Sequence, residues 1–397
     1  MIVPFLFACT APDATAPAPG GEAGQREVRP WTVAVFMNGD NDLETYVPHD
    51  LNELEAGDPG DSAWVVVQAD RIDGYDDSDG DWTGTRRYAI VPDDDEDAVT
   101  SPPVAELGEV DMGDPAALAD FLAWTRATYP SERLMLALWN HGDGWLLTAR
   151  APAGISYDDT SGTVIGVANG GLADGLSAQV DAVGPVDVLA FDGCNMGAWE
   201  VIYALRGLAE VASVSQSWVG AEGLDYTNLL DTLGANPDIA TPDLGVVTAE
   251  DAVTRGGERT WSAVDVGAID EVAAAIDAFA VHLRASDAPV QAFQNLRRET
   301  ATTDGAWHDW YLDLGDLAAV AETKPGMGDA ATPVATALDA AVLAAYGSDR
   351  YAWTSGLTIF AATDDAGYLN DYAGGPWAAA TTWDELLQEV REAEAGI

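Results

Sequence analysis

The chain has 397 residues, and 67 acidic residues against 17 basic ones give it a formal net charge of −50. We therefore expect no nucleic-acid partner, because phosphate binding needs a basic surface. Apolar residues make up 48% of the chain and 14 residues are Trp, a composition typical of a folded globular protein rather than a disordered one. No run of about 20 apolar residues is present that could cross a membrane.

Residues 1–27 are predicted to be a leader and a flexible tether. The apolar start ends on Leu6-Phe7-Ala8-Cys9, which resembles the lipobox of a bacterial lipoprotein, where the chain is cut before a cysteine that becomes acylated. The Pro-, Ala- and Gly-rich stretch that follows would link this lipid to the folded part. We expect a secreted or cell-envelope protein, lipid-anchored through Cys9. The alternative is that Cys9 is an incidental residue of a leader.

From Trp31 onward the pattern alternates between strands and helices. Short β-branched or aromatic runs predict strands at 31–37, 63–69, 85–91, 133–139, 186–191 and 210–215, and longer stretches predict helices at 115–128 and 196–208. Continuous apolar strands separated by helices predict an α/β fold whose mostly parallel sheet is covered on both faces. We assign residues 28–240 to this core.

Residues 241–397 are predicted to be a helical C-terminal extension that completes the core or packs on it. The pattern predicts helices at 241–254, 267–286, 314–322, 331–346 and 382–395, with strands near 260–266 and 356–361.

Three of the predicted strands end in polar residues and glycines. Strand 31–37 leads into Asn38-Gly39-Asp40, strand 133–139 leads into Asn140-His141-Gly142, and strand 186–191 leads into Asp192-Gly193-Cys194. Ligands and chemistry gather at the carboxyl ends of parallel strands. A nearby imidazole and the N-terminus of helix 196–208 would favour the Cys194 thiolate. The backbone N–H groups of Gly142 and Cys194 are the natural donors to an oxyanion. The alternative is an inert buried cysteine and a structural histidine.

Two further acidic segments have competing interpretations. Asp40 and Asp42 follow the first strand and are predicted to cap the next helix rather than bind a metal. The second segment is a Gly-rich acidic loop, which would suit Ca²⁺ because it offers several hard oxygen ligands. The alternative is that the same loop is merely solvated and binds no metal. Its acidic residues are Asp73, Asp76, Asp77, Asp79 and Asp81.

Five segments together resemble the clostripain-like cysteine peptidases, which share a clan with caspases, legumain and gingipains. The stretches are WTVAVFMNGDNDLE (31–44), MGDPAALADFLAWTRATYPSERLMLALWNHGDGW (112–145), ISYDDTSG (155–162), FDGCNMGAWEVIYAL (191–205) and SGLTIFA (355–361). The pair WNHGDGW and DGCNMGAWE is the specific part of this pattern.

The resemblance implies a caspase-like three-layer sandwich with a Cys–His dyad. His141 would be the general base and Cys194 the nucleophile, with no third orienting residue required. No cofactor is expected for the chemistry, although some relatives need calcium. The acid two residues before the nucleophile, Asp192, would line the pocket for a basic side chain, and Glu222 stands where relatives often have a second pocket acid.

The resemblance also implies self-cleavage between the histidine and the cysteine, where Arg150 is the only basic residue of 142–193. We therefore expect an exported, monomeric cysteine endopeptidase that cuts protein or peptide substrates after basic residues, Arg preferred. The alternative is a catalytically silent, peptidase-like surface lipoprotein that acts as a binding module.

Overall fold

The computed structural model describes residues 26–95, 97–145, 154–221, 223–303, 310–364 and 366–396. Three residues singled out from the sequence, Cys9, Arg150 and Glu222, lie outside this described part.

The described residues form strands whose bounds largely follow the β-branched and aromatic runs of the sequence. They are β1 (Arg29–Gly39), β2 (Ala63–Arg71), β3 (Gly84–Ala89), β4 (Pro103–Gly108), β5 (Ser131–Trp139), β6 (Gly154–Asp158), β7 (Thr163–Gly166), β8 (Val186–Asp192), β9 (Ala209–Val214), β10 (Thr260–Asp265), β11 (Tyr311–Asp313), β12 (Val342–Gly347) and β13 (Thr358–Phe360).

The helices lie between these strands and at the C-terminal end. They are α1 (Tyr46–Ala56), α2 (Pro115–Thr128), α3 (Gly171–Val183), α4 (Trp199–Ala204), α5 (Tyr226–Ala235), α6 (Thr241–Thr254), α7 (Ile269–Arg284), α8 (Pro289–Glu299), α9 (Leu314–Glu322), α10 (Gly328–Ala341), α11 (Ala366–Gly374) and α12 (Trp383–Ala395). None of the helices in the described part of the chain combines the length and the apolar composition needed to span a bilayer.

A nine-stranded sheet runs through the molecule in the order β12-β10-β9-β8-β5-β1-β2-β3-β4. Its centre, from β9 to β2, is parallel, and the strands at both edges pair antiparallel. The mostly parallel sheet was predicted, and the prediction is confirmed. Because β10 and β12 belong to residues 241–397, the C-terminal part completes the sheet as well as packing on it.

Both faces of the sheet are covered, as the continuous apolar strands predicted. In β1, Ala34 and Phe36 enter one apolar cluster, whereas Val33 and Val35 enter the other. Alternate side chains of one strand therefore reach two separate cores. The first core is covered mainly by α2, α3, α4 and α7 to α12, and the second by α1, α5 and α6.

Two helix predictions are wrong in extent, and long-range pairing explains the end of one and the start of the other. Helix 331–346 ends at Ala341, because the following residues form β12 and pair with β10. Helix 196–208 is reduced to α4, and its start is delayed because the Gly197 carbonyl accepts the Thr358 N–H at 2.9 Å, while the Gly197 N–H donates to the Ser215 carbonyl at 2.7 Å. Backbone groups engaged in this way cannot enter a helical turn.

Three deeply placed acids predict how stability depends on pH. Burial raises the pKa of Glu53, Asp192 and Glu200 to about 8 each. Between the ordinary carboxyl pKa and about 8, the folded chain holds protons that the unfolded chain has released. The free energy of unfolding should therefore fall as the pH rises through this window. The urea concentration at the midpoint of unfolding should decrease from pH 5.5 through pH 7 to pH 8. The decrease should be smaller in the Glu200→Gln variant. A midpoint that rises from pH 5.5 to 8 would contradict this.

Candidate active site

His141 and Cys194 lie at neighbouring strand ends and share one cleft. Strands β5 and β8 are adjacent and parallel, with Trp139 opposite Asp192 in register. His141 and Cys194 follow those two residues at the same spacing, so the sheet brings them to the same edge. Both line a cleft of about 560 Å³. The imidazole is 43% exposed, so it is open to a substrate rather than sealed in the core.

The backbone of Gly142 packs directly against that of Cys194. A methyl group on the Gly142 Cα would lie 2.5 Å from the Cys194 carbonyl oxygen and 2.9 Å from its nitrogen. Gly142 stands opposite Ile155 in an antiparallel bridge whose hydrogen bond runs from the Asp143 N–H to the Gly154 carbonyl. In that pattern the opposed pair exchanges no hydrogen bond. The Gly142 N–H therefore makes no hydrogen bond to Ile155, and the backbone that carries it lies against Cys194.

The surroundings of Cys194 differ from the prediction. The next helix along the chain, α4, begins only at Trp199, so the expectation that the N-terminus of helix 196–208 lies against the thiol is wrong. The sulfur instead accepts a hydrogen bond from the Val219 N–H at 3.3 Å. Burial raises the pKa of the Cys194 thiol, and the Val219 N–H opposes that rise. The thiolate therefore needs a proton acceptor in the same cleft.

A third residue contacts the imidazole, which the sequence analysis did not expect. The His141 Nε2 and the Asp42 Oδ1 are 2.7 Å apart, and the Tyr157 ring stands edge-on to the imidazole. The predicted helix cap at Asp42 is wrong, since α1 begins at Tyr46 and shows no side-chain cap. A proton held on Nε2 by this carboxylate leaves the lone pair on Nδ1, which is the form a general base requires.

Asp42→Asn is expected to lower kcat about fivefold with little change in KM. An exposed ion pair contributes up to about 1 kcal/mol, which corresponds to roughly that factor. The substitution keeps the size of the side chain but removes the charge that selects the tautomer. Steady-state kinetics should show the effect, with Asp159→Asn, a second exposed acid of the same cleft, as the control. Equal kcat values for the two variants would remove Asp42 from this role.

Asp192 lies at the buried end of the cleft. Its Oδ2 accepts hydrogen bonds from the Leu224 N–H at 3.2 Å and the Tyr226 hydroxyl at 3.0 Å. Gly223 covers it so closely that a methyl group there would lie 2.5 Å from Oδ1. Burial, followed by the charge of Asp50, raises the pKa of Asp192 to about 8. A cationic side chain entering the cleft would therefore meet a poorly hydrated carboxyl group that it can ionise.

The comparison with known sequences identifies the family. The model of the Clostripain family matches residues 35–389. The chain belongs to the clostripain family. The resemblance inferred from the sequence motifs is thereby confirmed, and the family match includes the dyad candidates and most of the sheet.

The individual relatives are similar to this clostripain-family chain at low identity. Clostripain from Hathewaya histolytica is 26% identical over 245 residues, which cover 57% of this chain and 45% of the relative. The match thus spans less than half the length of that relative.

Two solved structures show the same fold. An inactive zymogen of a C11 protease from Parabacteroides distasonis superposes with a TM-score of 0.66 at 18% identity, covering 90% of this chain and 99% of that one. A secreted C11 cysteine protease from Bacteroides thetaiotaomicron, solved in complex with an irreversible peptide inhibitor, gives a TM-score of 0.65 at 18% identity, covering 89% and 99%.

In this clostripain-family chain a second layer of acids lies behind Asp192. The charges of Asp50, Asp225 and Asp192 all raise the pKa of Glu53, after burial. Asp50 also accepts a hydrogen bond from Trp139, which lines the cleft. Asp50 and Glu53 belong to α1, the helix after the first strand, whose bounds the sequence analysis did not predict. Their spacing of three residues within a helical pattern was the signal that could have found them.

The loop with the five aspartates does not gather them around a metal. Among the described residues, no three of these carboxylates bring oxygen atoms within 4.8 Å of one another. The loop instead wraps the fully buried guanidinium of Arg71, which donates to the carbonyls of Ser78 and Asp76, to the Asp76 carboxylate and to Glu44. An arginine therefore supplies a positive charge in the loop for which calcium was one of the two interpretations.

Proposed function

We propose that this chain is an exported cysteine endopeptidase that hydrolyses peptide bonds after basic residues, with Arg preferred. The observation that carries the proposal is that His141, Cys194 and Asp192 line one cleft at the carboxyl edge of the parallel strands. This arrangement supplies a nucleophile, a base and an anionic pocket within one substrate's reach.

In the first half of the reaction the His141 imidazole takes the proton of the Cys194 thiol. The sulfur then forms a bond to the scissile carbonyl carbon, and the carbonyl electron pair moves onto oxygen. The N–H groups of Gly142 and Cys194 would donate to that oxyanion. On collapse the C–N bond breaks, and the leaving nitrogen receives the proton from His141. The product at this stage is a thioester on Cys194.

In the second half water hydrolyses the thioester. His141 removes a proton from the water as it attacks the acyl carbon, and the C–S bond breaks on collapse. The thiolate leaves and is protonated again, and the acid product departs. This chemistry needs no cofactor, because proton transfer and nucleophilic attack are both carried by side chains.

Selection of a basic residue follows from the charges behind the cleft. Among the described residues that line the cleft, Asp192 is the acid at its buried end, and the charge of Asp50 behind it adds to the negative field. An arginine side chain forms two parallel, charge-assisted hydrogen bonds with a carboxylate, which lysine cannot do. The net charge of −50 would also draw basic peptides toward the protein.

A thiol-directed peptide inhibitor with Arg at P1 tests the proposal. Mass spectrometry of the full chain should place the label on Cys194, and the matched peptide with Gln at P1 should label much more slowly. Cys194→Ala, checked by its thermal unfolding, is the control. A folded, unmodified chain would favour the alternative of a silent binding module.

Self-cleavage after Arg150 is part of the proposal. The sequence between His141 and Cys194 offers this single basic residue to an Arg-selective site. N-terminal sequencing of the purified protein should find a new chain that begins at Ala151, and this chain should be absent from Cys194→Ala. Full activity in an uncut chain would overturn this part.

Attachment through Cys9 is a separate part of the proposal and rests on the lipobox-like sequence. Incorporation of a labelled fatty acid should be lost in Cys9→Ser, whereas the peptidase activity of the folded part should be unaffected. Incorporation in both proteins would place any lipid elsewhere.

A further inference from the structure

Residues 218–221, which we call the cleft loop, follow β9 along the chain and form one wall of the cleft. The Val219 N–H donates to the Cys194 sulfur at 3.3 Å, and the thiol donates to the Val219 carbonyl at 3.8 Å. The loop belongs to no helix or strand, so no regular backbone pairing fixes its place. The position of the cleft loop therefore decides which groups surround the thiol.

A buried carboxylate from the C-terminal part of the chain binds the backbone of this loop. Glu258 lies between α6 and β10 and is 3% exposed. The Gly220 N–H donates to both oxygens of Glu258, at 2.8 and 2.9 Å. A methyl group on the Gly220 Cα would lie 3.0 Å from the Glu258 Oε1, so the backbone and the carboxylate are in direct contact. Glu258 itself does not line the cleft, and it can reach a substrate only through the loop.

Neighbours of Glu258 contact the same stretch of chain at two further points. The Arg259 guanidinium lies over the Trp218 ring, 5.4 Å from its centroid. Gly256 lies against the Gly223 backbone, since a methyl group on the Gly256 Cα would be 3.0 Å from the Gly223 carbonyl oxygen. The segment 256–259 therefore runs alongside the cleft loop, and the carboxylate contact is one part of a continuous interface.

Glu258 acts on the thiol in two opposite ways. Burial is the main reason why the pKa of the Cys194 thiol is raised, and the charges of Asp143, Glu258 and Asp192 raise it further. The Val219 N–H lowers it. A buried carboxylate is also costly in itself unless it is hydrogen-bonded. The charge of Glu258 thus disfavours the thiolate, and the benefit of the residue lies in the hydrogen bond that it accepts from the loop.

We propose that Glu258 is a positioning residue that holds the cleft loop so that the Val219 N–H faces the Cys194 sulfur. This proposal rests on the role of Cys194 as the nucleophile in the proposed function. A hydrogen bond from a backbone N–H to a carboxylate is charge-assisted and stronger than one between neutral groups, which suits it to fixing an irregular loop. A residue beyond the core assigned to 28–240 thereby contributes to the active site.

The test is the pH dependence of Cys194 alkylation by iodoacetamide, followed by mass spectrometry of the full chain. Glu258→Asp keeps the charge but shortens the side chain by one methylene, so the carboxylate moves away from the Gly220 N–H. The midpoint of the alkylation profile should rise by about one pH unit, because the released loop no longer presents the Val219 N–H to the sulfur. The kcat should fall about fivefold. Alkylation does not require peptidase activity, so it tests Glu258 even in a chain that hydrolyses no peptide.

Two further variants separate position from charge and from general stability. Glu258→Gln keeps the length of the side chain and an oxygen that can accept the Gly220 N–H, so its midpoint should not rise above that of the unaltered chain. Glu55→Asp is the matched control, since Glu55 is a fully buried acid that accepts the N–H groups of Thr100 and Ser101 and does not line the cleft. It should lower the unfolding temperature and leave the midpoint unchanged.

Three results would each overturn the proposal. An unchanged midpoint in a folded Glu258→Asp protein would show that Glu258 acts through its charge alone. A higher midpoint in Glu258→Gln would contradict the role of the accepted hydrogen bond, and this variant decides the question if Glu258→Asp does not fold. A shift in Glu55→Asp as large as that in Glu258→Asp would show a general effect of destabilisation.

Discussion

Asp192→Asn is expected to lower kcat/KM for peptides with Arg at P1 about 100- to 1,000-fold. Removing one partner of a buried, charge-assisted hydrogen bond costs about 2–5 kcal/mol, and roughly 3–4 kcal/mol corresponds to this range. Asparagine keeps an oxygen that can accept from Leu224 and Tyr226, so the cleft should retain its shape. The loss should therefore lie in recognition of the cation and not in folding.

The pH dependence gives an independent check on Asp192. Its pKa of about 8 means that the carboxyl group is largely protonated at neutral pH before substrate arrives. Arginine remains positively charged throughout, so binding is strongest once the carboxyl group is ionised. The kcat/KM of the unaltered chain for Arg substrates should rise from pH 6 to about 8 more steeply than that for Gln substrates. In Asp192→Asn the two profiles should run parallel.

Glu53→Gln is the matched control for Asp192→Asn. Its carboxyl pKa is also raised to about 8 by burial, but the residue does not line the cleft. This variant should lose less than tenfold in kcat/KM, because only the background field changes. Equal losses in both variants would show that the whole acidic cluster, and not Asp192, selects the substrate. An Asp192→Asn protein with full activity on Arg peptides would remove the pocket assignment.

Gly142→Ala is expected to reduce kcat at least about 100-fold. The added methyl group would lie 2.5 Å from the Cys194 carbonyl oxygen, so the two backbones must separate. Both proposed oxyanion donors belong to these two residues, and the loss of one such donor costs about 10²–10³ in kcat. The imidazole, the thiol and Asp192 remain, so binding of an Arg-containing inhibitor should persist.

Steady-state kinetics with thiol titration by iodoacetamide separates these effects. Gly142→Ala should keep a titratable Cys194 while losing turnover. Gly374→Ala is the control for the glycine replacement itself, since a methyl group there meets no atom within 4 Å. If Gly142→Ala kept a normal kcat, the Gly142 N–H would not be an oxyanion donor, and the close approach of the two backbones would serve packing alone.

The sequence alone determined the strands and the residues at their ends. Strands that are buried on both faces read as continuous apolar runs, so the interruption of such a run at Asn140-His141 or Asp192-Gly193-Cys194 stands out. Parallel neighbours then bring the two interruptions to one edge of the sheet. The proposed nucleophile, base and pocket acid are all local departures from a strand pattern, which is why the motif made them visible.

Only the tertiary structure decided which distant groups meet. Asp42 contacts an imidazole 99 residues away, Thr358 pairs with the Gly197 carbonyl ahead of α4, and the acidic loop at 73–84 holds the Arg71 guanidinium. Carboxyl groups from four separate segments also meet, namely those of Asp40, Asp70, Glu109 and Asp158. Each of these side chains resembles an ordinary surface acid or turn residue in its own segment. Local patterns record the burial of a segment, whereas the partner of a polar group is set by the packing of the whole chain.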